Sequence, residues 1–217
     1  PTINSLLEVL KEKKKYFESV KSEKEINFES SLKFENISFK YPNNQKMTLE
    51  KLNFEINKNC LIGILGQSGS GKSTLMDIIS GLVAPENGKI YLDKKEVSLH
   101  NDKWRKKIGV LNQKIYLFEA SIRDNITFFS SNDNKEDQKV LNILKKVNLL
   151  KYASFQGCEE IISEDGINLS GGERQRLGLA RSLYQDRDII ILDEPTNNLD
   201  KETETVFFET LLKLKKE

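Results

Sequence analysis

The sequence predicts an α/β fold with a mainly parallel central sheet, a small antiparallel β-subdomain and an α-helical subdomain. Three observations carry that prediction. The apolar run Cys60-Leu61-Ile62-Gly63-Ile64-Leu65 feeds a glycine-rich turn and then a helix-like stretch. A second apolar run, Ile189-Ile190-Ile191-Leu192, has the unbroken character of a strand buried on both faces. Between them, residues 114–185 show mostly helical periodicity.

The elements follow in order. Residues 1–25 read either as a charged amphipathic helix, with Leu6, Leu7, Leu10, Phe17 and Val20 on a stripe, or as a frayed tail. Leu32, Phe34, Ile37 and Phe39 mark a strand, and Tyr41-Pro42-Asn43-Asn44 a turn. Leu52, Phe54 and Ile56 alternate as a second strand. A strand at 61–65 leads into the glycine turn, and residues 73–82 form the helix after it, closed by Gly81 and Pro85. Strands follow at 89–92 and 108–111, separated by a polar loop and a short basic segment. Helices are expected at 120–128, 136–147, 148–155 and 171–185, with 133–137 as a polar loop. A strand at 188–192 and a helix at 201–216 complete the chain.

Composition bounds the function. At 217 residues the chain can bury a real core. Lys+Arg 34 against Asp+Glu 33 leaves no global field to attract nucleic acid, so none is expected as a partner. Cys60 and Cys158 are far apart, without metal-binding spacing, which fits a reducing compartment. No apolar stretch is long enough to span a membrane, so the piece itself is expected to be soluble.

Three segments carry chemistry. The first is Gly66-Gln67-Ser68-Gly69-Ser70-Gly71-Lys72-Ser73-Thr74, which is G-x-x-x-x-G-K-[ST] between a strand and a helix. Its glycines let the backbone curl so that N–H groups face inward, and the helix N-terminus adds positive character. Lys72 can reach the outer phosphates of a nucleotide, and the Ser73 hydroxyl can ligate Mg²⁺. A plain Gly/Ser turn would explain the glycines but not the flanking strand and helix. The second is Asp193-Glu194 at the end of the buried strand. Asp193 can hold Mg²⁺ through water, and Glu194 can orient an attacking water. The third is Leu169-Ser170-Gly171-Gly172-Glu173-Arg174-Gln175-Arg176, a turn that opens a long helix and offers a second anion site. Since one nucleotide needs one cradle, this turn is expected to cover a nucleotide held by a partner. The plain alternative is a Ser N-cap.

Together these segments resemble the Walker A, signature and Walker B motifs of ATP-binding cassette (ABC) proteins, over about residues 32–217. The resemblance implies a P-loop NTPase that binds ATP with Mg²⁺. It implies that Ser170, Gly171 and Gly172 touch the partner's ATP, that Tyr41 stacks on adenine, and that Gln113 touches Mg²⁺ and water. Glu194, Gln113 and Lys72 become the catalytic set, and Ser73, Gln113 and Asp193 the metal set. Asp200 in Asn197-Asn198-Leu199-Asp200 is implied to meet the partner subunit.

Ile115-Tyr116-Leu117-Phe118, Ser121-Ile122-Arg123-Asp124-Asn125-Ile126 and Ser163-Glu164-Asp165-Gly166 resemble exporter-type cassettes. The opening Pro1-Thr2-Ile3-Asn4 resembles the end of a last transmembrane helix, so residues 1–25 are expected to be a linker or helical tail and 26–217 the cassette. The implied function is MgATP hydrolysis powering an exporter or flippase, in a head-to-tail homodimer joined to a transmembrane domain at the cytoplasmic face of the inner or plasma membrane. The alternative is a soluble translation-factor or DNA-repair ATPase, towards which Pro195-Thr196-Asn197 leans. The family's switch histidine lies on a strand beyond Glu217. The piece is therefore expected to end before it and to bind ATP better than it hydrolyses it. His100, the lone histidine, reads as a surface residue.

Overall fold

The computed structural model describes residues 27–42, 44–130, 134–197 and 199–215. They form two compact units. One takes in residues up to Lys58 together with Gly66–Lys106; the other takes in Asn59–Leu65 together with Lys107–Glu217. The expected N-terminal helix at 1–25 lies outside the described residues.

The first unit is built on an antiparallel sheet of β1 (Ser31–Phe39), β2 (Leu49–Asn57), β3 (Asn87–Leu92) and β4 (Lys95–Glu96), in the order β2-β1-β3-β4. Leu32 and Phe34 on β1 alternate inward, as a half-buried strand requires. The alternation then breaks. Asn36 takes a φ of 52°, the register to β2 shifts between Phe34 and Ile37, and Ile37, Ser38 and Phe39 are all buried. β3 turns into β4 through Asp93 and Lys94, both with positive φ, as a tight hairpin turn needs. Asp93 also ties down the start of β1, accepting from the amides of Glu29, Ser30 and Ser31 and from the Ser30 hydroxyl. Helix α1 (Lys72–Ile79) follows the glycine turn. Near its end, the indole N–H of fully buried Trp104, on the short helix α2 (Asp102–Arg105), donates to Ile79 O at 2.7 Å.

The second unit has a parallel pair, β5 (Ile108–Leu111) and β6 (Ile189–Leu192), and helices α3 (Ile122–Thr127), α4 (Asn134–Lys146), α5 (Phe155–Cys158), α6 (Gly171–Tyr184) and α7 (Lys201–Leu214). Its core joins Leu111 on β5, Ile122 and Ile126 on α3, Leu144 on α4, Leu177 and Leu179 on α6, and Phe207 on α7.

The structure corrects three local expectations. Residues 134–137 are the first turn of α4 rather than part of a loop. Acidic Glu136 and Asp137 suit a helix N-terminus, just as Lys145 and Lys146 suit its C-terminus. The helix expected at 148–155 is instead a 3-10 turn, Leu150–Tyr152, followed by α5, because Ser154 caps a new helix by accepting from Gly157 N. The strand expected at 61–65 belongs to neither sheet, and Leu65 is 96% exposed. Apolar runs signal a wish for burial, whereas a strand also needs a partner edge, and among the described residues β6 pairs with β5 alone.

Candidate active site

In the first unit, the glycine turn delivers the chain into α1 without a side-chain cap. Gly71, the N-cap residue, has a φ of 92° and, being glycine, offers no side-chain cap to the first-turn amides. Those amides are donors in want of an acceptor, and no acidic residue sits in the first turn to repel an anion. A Cβ at Gly71 would lie 2.7 Å from Leu49 Cδ2 and 2.9 Å from Thr48 O, so both conformation and space demand glycine there. Lys72 folds back over the turn, and its Nζ donates to Gly66 O at 2.8 Å and to Gln67 O at 2.9 Å. Ser73 is exposed beside it, while Thr74 is buried. The hydroxyls of Tyr41 and Thr74 are 3.3 Å apart. Tyr41 packs edge-on against Phe39 and keeps part of its ring exposed. Tyr41 thus lies beside α1, joined to it through Thr74. His100 is exposed as expected, with Nδ1 3.0 Å from Gly81 O.

In the second unit, parallel pairing decides which residues emerge together. Leu111 and Leu192 form the last pair of the ladder, and Asp193 N donates to Leu111 O at 2.9 Å. Asn112 and Gln113 thus leave β5 at the end where Asp193 and Glu194 leave β6. The Gln113 and Glu194 side chains are exposed, and Asp193 is half-buried. Glu194 holds a φ of 45°, a rare conformation for a non-glycine residue. Its carboxylate accepts from Asn197 Nδ2 at 2.9 Å, and Asn197 N donates to Glu194 O at 3.1 Å.

The signature turn opens α6 through a complete capping box. Ser170 Oγ accepts from Glu173 N, and Glu173 Oε2 accepts from Ser170 N. The serine is thus the N-cap of the plain reading, which leaves the Gly171 and Gly172 amides as the donors an anion could meet. Gly172 is packed so closely that a Cβ would lie 2.2 Å from Thr203 Cγ2 on α7. Asp200 caps α7, accepting from Thr203 N and Thr203 Oγ1, and these bonds lower its pKa. Burial lowers the pKa of Arg176, whose Nε is buried without a partner.

The fit to a nucleotide and metal can be judged from these donors. Uncapped α1 amides and a lysine held over the turn suit polyphosphate. Among the described residues no group of three or more His, Cys, Asp or Glu is poised for a metal. Mg²⁺ needs no such cage when phosphates and water complete its shell.

A family model described as ABC transporter matches residues 49–197. The chain belongs to the ABC transporter family. It is 39% identical over 188 residues to the glutathione/L-cysteine transport system ATP-binding/permease protein CydD of Bacillus subtilis (strain 168), covering 86% of this chain and 32% of that protein. It is 35% identical over 187 residues to the alpha-hemolysin translocation ATP-binding protein HlyB of Escherichia coli O157:H7, covering 86% of this chain and 26% of that protein. Among solved structures it resembles a bacterial Atm1-family ABC exporter with ATP bound, with a TM-score of 0.72 at 28% identity, over 89% of this chain and 34% of the other. The chain thus spans between about a quarter and a third of the length of these relatives. It has the α/β P-loop fold of that family, and the soluble-factor alternative gains no support from these relatives. The relatives are membrane transporters, and among the described residues of this ABC domain no helix is long and apolar enough to cross a membrane.

Sequence reasoning missed the supporting residues. Asn197 and Gln175 were visible as letters inside motifs, but nothing in their spacing says that one bonds the Glu194 carboxylate and the other a main-chain carbonyl.

Proposed function

We propose that this chain binds MgATP and hydrolyses it as the nucleotide-binding domain of an exporter or flippase. The observation that carries the reading is the uncapped start of α1 with Lys72 folded over the turn. It is a preorganised polyphosphate cradle, because its donors are already oriented before any ligand arrives. The amides of residues 66–74 hold phosphate oxygens, Lys72 neutralises the outer phosphates, and Tyr41 offers a ring face to adenine. Ser73, Asp193 and Gln113 would hold the metal, which would supply charge neutralisation on the phosphates. Glu194 takes a hydrogen bond from the attacking water and aligns it with the γ-phosphorus, so catalysis is chiefly positioning and electrostatics.

The signature residues Ser170, Gly171 and Gly172 meet the ATP of a second copy in a head-to-tail homodimer, and Asp200 contacts that copy. A transmembrane domain of the parent protein receives the motion, with this domain at the cytoplasmic face. Residues 1–25 serve as the linker from that domain. The test is Glu194→Gln in the full-length transporter. The expected result is retained ATP binding with turnover reduced by roughly a hundredfold or more. Undiminished turnover in that variant would refute the assignment.

A further inference from the structure

Gln175 lies on α6, five residues after Ser170, and is 6% exposed. Its Nε2 donates to the main-chain carbonyl of Gln113 at 3.2 Å. Its Oε1 is buried without a hydrogen-bond partner. Turning the amide over would set oxygen against oxygen, so the side chain has one workable orientation, with its donor towards Gln113. An unpaired buried acceptor is unfavourable, and an apolar residue of similar shape would avoid it. The site tolerates that cost and keeps the donor.

The surroundings show what the donor holds. Residues 112–118 belong to no helix or strand, so their main chain has no ladder to keep it in place. Asn125 on α3 holds the Phe118 end, accepting from its amide and donating to its carbonyl, and helix α6 restrains the rest. Gly178 brings the helix against both flanks of Gln113, since a Cβ there would meet Leu111 Cδ1 at 2.3 Å and Ile115 Cδ1 at 2.9 Å. One turn further on, Arg181 donates through Nη1 to Tyr116 O and through Nε to Asn125 O. Gln175 is the grip at Gln113 itself. It takes the carbonyl and leaves the Gln113 side chain exposed.

We propose that Gln175 is a positioning residue for ATP hydrolysis. By fixing the Gln113 carbonyl it sets the direction in which the Gln113 side chain leaves β5, at the end of the ladder where Glu194 leaves β6. The inference rests on the reading of Gln113 and Glu194 as active-site residues.

The test uses the full-length transporter with Gln175→Met, Gln175→Leu, Gln113→Ala, the double variants Gln175→Met/Gln113→Ala and Gln175→Leu/Gln113→Ala, and Glu194→Gln. Gln175→Met keeps the shape and removes the donor. It should lower kcat about tenfold, with KM for ATP within about twofold, and raise the Mg²⁺ needed for half-maximal turnover. In the Gln113→Ala background the same change should have no further effect on kcat, and additive losses would overturn the proposal. Gln175→Leu gives a second readout, and it serves if Gln175→Met does not fold. It too lacks the donor, so it should lower kcat about tenfold alone and leave kcat unchanged in the Gln113→Ala background. Equal losses in both backgrounds would also overturn the role. If Glu194→Gln abolishes turnover while the Gln175 variants match wild type, only this inference fails; if Glu194→Gln turns over normally, the active-site reading itself fails.

Discussion

The amide of Asp193 donates to the carbonyl of Leu111 at 2.9 Å, one residue beyond the last pair of the parallel ladder. This bond extends β6 by one step and stops there, because Glu194 turns away with a φ of 45°. Two chain segments more than eighty residues apart in sequence thereby leave the sheet side by side.

Lys72→Ala should weaken ATP binding strongly. The ammonium already sits over the Gly66 and Gln67 carbonyls, at the mouth of an uncapped helix. Losing its charge-assisted bonds to phosphate costs about 3 kcal/mol, or roughly a hundredfold in Kd. Isothermal titration with ATP measures this, and an unchanged Kd would remove Lys72 from the site.

Asn197→Ala should reduce turnover about fivefold while leaving ATP affinity unaltered. Asn197 donates to one oxygen of the Glu194 carboxylate and closes the turn through its own amide. The substitution removes the first bond and keeps the second, so the carboxylate loses a restraint but the turn survives. Asn197→Asp should be worse, since a second carboxylate beside Glu194 repels it. Steady-state kinetics beside a binding titration separate the two effects.

Gly172→Ala should destabilise the domain by about 1–3 kcal/mol, because the new methyl must displace Thr203 Cγ2 at 2.2 Å. Thr203→Ser in the same chain should recover much of that loss. It deletes the colliding methyl and keeps the hydroxyl that donates to Asp200. Urea midpoints of the two single variants and the double variant form the cycle, and simple additivity would contradict the predicted contact.

Acid should act through Asp93. Burial pushes its pKa up, but hydrogen bonds from the Ser30 hydroxyl and from the amides of Glu29, Ser31 and Ser30 outweigh that and bring it down to about 2. The unfolded chain takes up its proton near the ordinary value of 3.8. The carboxylate's contribution is therefore full above about pH 4 and disappears as pH falls through about 2. After allowance for solvent screening it is about 1 kcal/mol. Asp93→Asn should lower stability at neutral pH and flatten the dependence between those limits, as followed by thermal melts against pH.

Much of the candidate site was legible in the linear order of residues. Gly66 to Thr74, Asp193-Glu194 and Ser170 to Gly172 announce themselves because phosphate and metal chemistry needs particular residue types at short fixed spacing. Helices α3, α4, α6 and α7 and strands β1, β2, β3, β5 and β6 were legible too, through local periodicity. The misses were all non-local or marginal. Residues 61–65 have strand-like composition, but composition cannot supply a partner edge. Residues 134–137 are polar enough for a loop, yet the helix continues into them because their charges suit its N-terminus.

By itself the sequence determined which segments resemble phosphate- and metal-binding motifs, because such motifs are set by side-chain types within a few residues of one another. Only the tertiary structure decided what holds them: Asn197 on the Glu194 carboxylate, Gln175 on the Gln113 carbonyl, Thr203 against Gly172. Hydrogen bonds and close contacts of that kind depend on how strands pair and helices pack. Pairing and packing are set by the whole chain's burial of apolar surface, which leaves no short-range mark in the order of residues.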